Sequence, residues 1–187
     1  MTVYIEDSLN ARRNIVTVIG NCGPAYNAVL STSFSEEGDE PVTLQEAKDW
    51  CRIDVTDDDT LITSLITAAR IICENYANLS FIERTVTAKI KNGLGGIQLP
   101  YGPVTSEIAF YDEDDTELTD YLLKNGDGNE VTAVYSAGYD EENPLPGNLK
   151  TAILNQIAWM EQNRGDVQLQ SALSMEAKLI LNQVRSV

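Results

Sequence analysis

The chain has 187 residues, 43% of them hydrophobic, with 29 acidic against 13 basic side chains and a net charge of −16. That length suits one domain, or one domain with arms, and can bury roughly 70% of its unfolded surface without help from a disulfide or a metal. The composition argues against global disorder, against a spanning helix (no apolar run approaches about 18 residues) and against nucleic-acid recognition, whose affinity comes from Lys and Arg.

The first forty residues read as an arm, suited to pairing with another subunit. Their opening, "MTVYIEDSLNARRNIVTVIGN", is polar before it is apolar, the wrong order for a secretory signal. "NIVTVIGN" has the composition of a strand, and "STSFSEEGDE" reads as an exposed linker closed by Pro41. In "PVTLQEAKDWCRI" a helix is predicted. Thr43 and Glu46 have capping-box spacing, Leu44, Ala47, Trp50 and Cys51 form its apolar side, and Gln45, Lys48, Asp49 and Arg52 its wet side.

Four aspartates follow, Asp54, Asp57, Asp58 and Asp59. A calcium loop begun at Asp54 or Asp57 fails at its sixth and twelfth positions, where Gly and Glu are required. The same cluster suits a helix start at Thr56, Asp57 and Asp58, with Thr56 or Asp57 accepting from free amides and the following acids opposing the positive end of the dipole. The helix it opens, Asp59 to Tyr76, carries Leu61, Ile62, Leu65, Ile66, Ala69, Ile72, Cys73 and Tyr76 on one broad face.

The period then changes to two. Val86, Ala88 and Ile90 alternate with polar residues in "RTVTAKIKNG", and "GGIQLPYGPV" reads as a strand edge or crossing segment. "SEIAFYDEDDTELTDYLL" reads as two strands joined at an acidic turn, and "KNGDGNEVTAVYSAGY" as a turn and a strand presenting Val131, Ala133 and Tyr135. Asn125, Asp127 and Asn129 fall at calcium-loop positions, but Glu130 and Ser136 occupy the places of the Gly and Glu. A helix over "LKTAILNQIAWMEQNR" has Leu149, Ala152, Ile153, Ile157 and Met160 on its buried stripe and ends near Gly165. After "DVQLQSAL" a last helix is capped by Ser174, with Met175 and Leu179 beside Ala177, Leu181 and Val184 on adjoining faces. It can dock on a partner or on its own core.

Chemistry is constrained as well. There is no histidine, which removes His-based triads and His-metal sites. Cys22, Cys51 and Cys73 are far apart and form no CxxC pair, fitting a protein made in a reducing compartment. Residues 36–60 carry ten acids against two bases, and residues 107–142 carry twelve against one. An enzyme would have to rest on carboxylates, Lys, Tyr or Cys, and the carboxylate candidates are Asp57–Asp59 and Asp112–Asp115. Both groups sit in polar segments, where the large pKa splitting that such chemistry needs is not expected.

The pieces "VTLQEAKDWCRID", "DDDTLITSLITAARIICENYA", "IQLPYGPVTSEIAFYDED", "VTAVYSAGY" and "LPGNLKTAILNQIAWMEQNR" together resemble the head–tail connector (adaptor, or head-completion) family of tailed bacteriophages, over roughly residues 42–164. The expected fold is α+β and mainly helical: a small bundle with a central antiparallel β-hairpin section, an N-terminal extended arm and a C-terminal helix. Its parts would be an arm and linker (1–40), a connector domain (41–164) and a C-terminal connector and helix (165–187).

The resemblance implies a structural virion protein, not an enzyme and without cofactor, made in the bacterial host cytoplasm and placed at the head–tail interface. It would form a twelve-fold ring on the portal protein, offer a docking surface to a stopper or tail-completion protein, and let packaged DNA pass without specific binding or contact with a membrane. By that analogy Gln168, Leu169, Leu173, Met175, Leu179, Val184 and Arg185 would touch the portal. The acids Asp112, Glu113, Asp114 and Asp115 would face the channel or tail. The alternatives are a tail-completion or stopper component, and a carboxylate- or metal-dependent enzyme.

Overall fold

The computed structural model describes residues 15–16, 28–36, 38–91, 97–118 and 130–184. The fold is α+β, and the chain divides into two compact units. One joins Met1–Glu37 to Glu83–Gly138, and the other joins Gly38–Ile82 to Tyr139–Val187. The grouping cuts across chain order, so the strand at 28–36 belongs with the sheet and the last helix with the other helices.

The sheet unit contains β1 (Ile15–Val16), β2 (Ala28–Glu36), β3 (Arg84–Lys91), β4 (Ile97–Gln98), β5 (Ala109–Tyr111) and β6 (Glu130–Ala137). Four of these form an antiparallel sheet in the order β2-β3-β6-β5, and β1 pairs with β4. The alternation read from the sequence sets the register. Val86, Ala88 and Ile90 face the same side as Tyr135, Ala133 and Val131, their direct cross-strand partners, and all six are buried. Leu99, Tyr101, Val104, Ile108 and Phe110 pack against that side. The segment "LPYGPV" crosses it through a Tyr101 at φ +54 and a cis Gly102–Pro103 bond, and Pro103 C=O accepts from Gly138 N–H at 3.0 Å. The buried Tyr135 hydroxyl donates to Pro100 C=O.

Where a linker was expected, "STSFSE" is strand. Residues 28–36 pair with β3 from Ala28↔Lys91 to Glu36↔Arg84, with a register shift between Val29 and Ser31. The polar side chains misled because an edge strand is held by main-chain hydrogen bonds and need not be apolar. Of "NIVTVIGN", Ile15 and Val16 are strand β1, while its other residues, the segment before it and most of "NGDGNE" lie outside the described residues.

The helical unit contains α1 (Leu44–Cys51), α2 (Asp59–Ala77), α3 (Gly147–Gln162), α4 (Val167–Gln170) and α5 (Met175–Leu181). Thr43 and Glu46 form the complete capping box on α1, and Arg52 ends that helix in the left-handed region at φ 58. The core joins Ile62, Leu65, Ile66, Ala69 and Cys73 of α2 to the full predicted stripe of α3 and to Ala177 and Leu181 of α5. Each large aliphatic side chain buried there contributes roughly 1.5–3 kcal/mol.

Three facial assignments are reversed. Trp50 is 47% exposed and Leu61 37%, whereas Lys48 is 7% exposed because its ammonium reaches Asp59 at 2.6 Å. A long aliphatic stem lets lysine lie along an apolar surface while its charge finds a partner.

Candidate functional site

The acids that open α2 act by a different route from the one expected. The helix begins at Asp59, but its N-cap residue, Asp58, makes no side-chain cap bond. Thr56 contributes its backbone carbonyl, accepting from Asp59 N–H at 3.1 Å, and Asp57 is exposed. The carboxylates of Asp58 and Asp59 are used in tertiary ion pairs, with Arg164 at the end of α3 (3.2 Å) and with Lys48 of α1 (2.6 Å). The cluster thus staples three helices.

The acidic turn after β5 is self-organised. One oxygen of Asp112 accepts from Asp114 N–H (2.9 Å) and Thr116 N–H (2.8 Å), Asp115 adopts φ 58, and Glu113, Asp114 and Asp115 are exposed. Residues beyond the turn fold back on β5, with Leu118 N–H donating to Phe110 C=O at 2.8 Å. Among the described residues no group of three or more His, Cys, Asp and Glu side chains is disposed to hold a metal ion, and no helix is long and apolar enough to cross a membrane.

The C-terminal segment is the most telling surface. Gln156, buried on α3, donates from Nε2 to Ala172 C=O (3.0 Å) and accepts Ser174 N–H at Oε1 (2.8 Å). Trp159 Nε1 donates to Leu169 C=O at 2.8 Å, and Tyr76 donates to Asn182 Oδ1 at 2.7 Å. The connector is therefore fixed at four points before and after α5. Ser174 caps that helix by accepting Ala177 N–H.

Of the two docking choices for α5, the structure shows the one on its own core. Ala177 and Leu181 are buried and Leu173 and Val184 half-buried against the unit's own core. Met175 (64% exposed) and Leu179 (61%), one helical turn apart, point outward. Leu169 is 42% exposed and Gln168 is exposed as well, while Arg185 lies outside the described residues.

Two buried arginines escaped the sequence reading. In the helical unit Arg70 donates from Nε to Glu40 (3.0 Å) and from Nη1 to Glu74 (2.9 Å). Glu74 also accepts Phe81 N–H at 2.6 Å, and Thr67 donates to Glu40 at 2.8 Å. The available signal was the i,i+4 spacing of Arg70 and Glu74 within an apolar helix. In the sheet unit Arg84 lies over the Phe34 ring at 4.1 Å and near Tyr101 at 5.4 Å, and the two rings meet edge-on at 4.9 Å. No local spacing announces that stack.

Burial, with the charge of Glu74 second, pushes the Cys73 thiol up to about 12. Cys51 is raised chiefly by burial too, so the surroundings of both disfavour the thiolate.

Comparison with solved structures gives the same fold elsewhere. A chain in the neck of an empty gene transfer agent particle, computed with C6 symmetry, aligns with a TM-score of 0.60 at 19% identity over 83% of this chain and 96% of its own. A chain in the virion of the native gene transfer agent particle gives 0.60 at 18%, covering 86% and 95%. One in the neck of the native particle, computed with C12 symmetry, gives 0.52 at 18%, covering 83% and 96%. No curated protein sequence matches the chain. Residues 41–185 match the family described as Phage gp6-like head-tail connector protein, and that span takes in every helix and five-residue-or-longer strand except β2. The chain belongs to that head–tail connector family, a structural class of bacteriophage virion protein and not an enzyme class.

Proposed function

We propose that the protein is a ring-forming adaptor at the head–tail joint of a virion, seated on the portal and receiving a stopper or tail-completion protein on its other side. Family membership supports the general role, and the C6 and C12 symmetry of the particles that contain similar chains supports the ring. The observation that carries the portal contact is the outward ridge of Met175 and Leu179 on a helix already docked by its opposite face. A helix with one side on its own core and large apolar groups on the other has a surface to bury in a partner.

The charge pattern fits a conduit. A chain of net charge −16 repeated around a ring offers few cations to phosphate, so passing DNA gains little by counterion release and slides. The exposed carboxylates of Glu113, Asp114 and Asp115 are the candidates for the channel or the tail side. Like charge between copies also requires that neighbours meet through uncharged surface.

The test is binding of purified cognate portal by the wild-type chain and by the double variant M175D/L179D. Both positions are exposed, so the variant is expected to melt within about 0.5 kcal/mol of wild type and to lose portal binding. A variant that binds the portal as wild type does removes the ridge from the contact.

A further inference from the structure

The two long edges of the sheet are treated differently. At β5 the chain covers its own edge with residues 116–118 and flanks it with the acidic turn. At β2, residues 28–35 carry no charge and no proline, and none of the described side chains of this strand is buried. Val29 (44%), Leu30 (46%) and Phe34 (39%) are exposed apolar residues on it. Natural edge strands are normally blunted by charge, proline or a cover. The strand is also an addition to the family's span, which begins at residue 41.

β2 is held by its ladder to β3 and by a side-chain socket in which Phe34 lies over the buried guanidinium of Arg84 and against Tyr101. That is how a separate peptide is bound by strand addition: main-chain hydrogen bonds supply affinity, and one side chain in a pocket fixes the register. On so acidic a chain, an uncharged strand is also the segment that can meet another copy without repulsion.

We infer that the edge of β3, with the Arg84–Tyr101 socket, is a strand-accepting site whose occupant in the assembly is residues 28–36 of a neighbouring copy. Each copy then donates one strand and accepts one, a head-to-tail contact that closes into a ring of any number. The inference rests on the reading that copies assemble, and adds which segment ties them.

Cross-linking at a registered pair tests it. Ser33 and Thr87 are direct partners across β2 and β3. One chain carries S33C and another T87C, each with Cys22, Cys51 and Cys73 replaced by Ala, and the two are mixed, assembled and oxidised. Native mass spectrometry reads the oligomer in parallel. The expected result is a covalent heterodimer joined at 33 and 87 as the main product, with ladders of covalent multimers from the S33C/T87C double variant. Should the cysteine-free background fail to fold, the native cysteines are kept and the 33–87 linked peptide is identified by mass spectrometry.

The exchange is overturned if the double variant links only within single chains while the mixed single variants give no 33–87 link. Rings seen under those conditions leave the adaptor reading standing without the exchange. Absence of any oligomer, with the link wholly within chains, removes both.

Discussion

Both units bury an arginine almost completely, Arg70 at 1% exposure and Arg84 at 2%, and the side chains laid against the two differ. The helical unit surrounds Arg70 with two carboxylates and ties both to other groups, so residue 40, helix α2 and the Phe81 backbone meet at one ionic node. The sheet unit gives Arg84 two aromatic faces, one of them on an edge strand. The first solution is strong and fixed, because removing one member leaves uncompensated buried charge. The stack of Phe34 on Arg84 is the weaker contact, because a cation–π pair is worth only about 0.5–2 kcal/mol.

The comparison can be broken by substitution. R70A is expected to destabilise the chain by about 3–5 kcal/mol in denaturant melts, since it leaves Glu40 and Glu74 facing each other without their cation. R84A is expected to be milder, about 2 kcal/mol, and to raise hydrogen exchange selectively in residues 28–36. Equal losses, or an R84A effect spread over the helices, would erase the distinction.

A smaller effect sharpens the helical side of it. The Lys150 ammonium, and after it the Thr43 amide, hold the Glu46 carboxyl below its ordinary value of 4.5. Its folded pKa is therefore lower than its unfolded one, so its stabilisation is present above about pH 4.5 and is lost as pH falls through the depressed value. Wild type should exceed E46Q in melting temperature at neutral pH, by an amount worth under about 1 kcal/mol for so exposed a pair, and the two should converge in acid as the carboxyl protonates. A gap that persists in acid would assign the capping box to geometry alone.

Legibility followed range. Elements built from local periodicity were readable: the capping box at Thr43, the apolar stripe of α3, the alternation of Val86, Ala88 and Ile90, and Ser174 at the start of α5. Features made by distant partners were not. Nothing local distinguishes a Lys48 that reaches Asp59, or a Gln156 that grips the backbone at 172 and 174, from solvated polar groups. The polar stretch of β2 has the local composition of a linker because its stability comes from β3, about fifty residues away in sequence. Of the candidate surface, Met175 and Leu179 were legible as an apolar pair, but their outward orientation is decided by which neighbouring face wins the core.

The central claim is that this chain is a portal-borne ring held together through uncharged surface. Electron microscopy of the purified protein with and without its cognate portal tests it most directly. A ring matching the portal's symmetry, with α5 against the portal and the acidic turns away from subunit contacts, is the predicted result. A chain that stays monomeric and leaves the portal bare would contradict it.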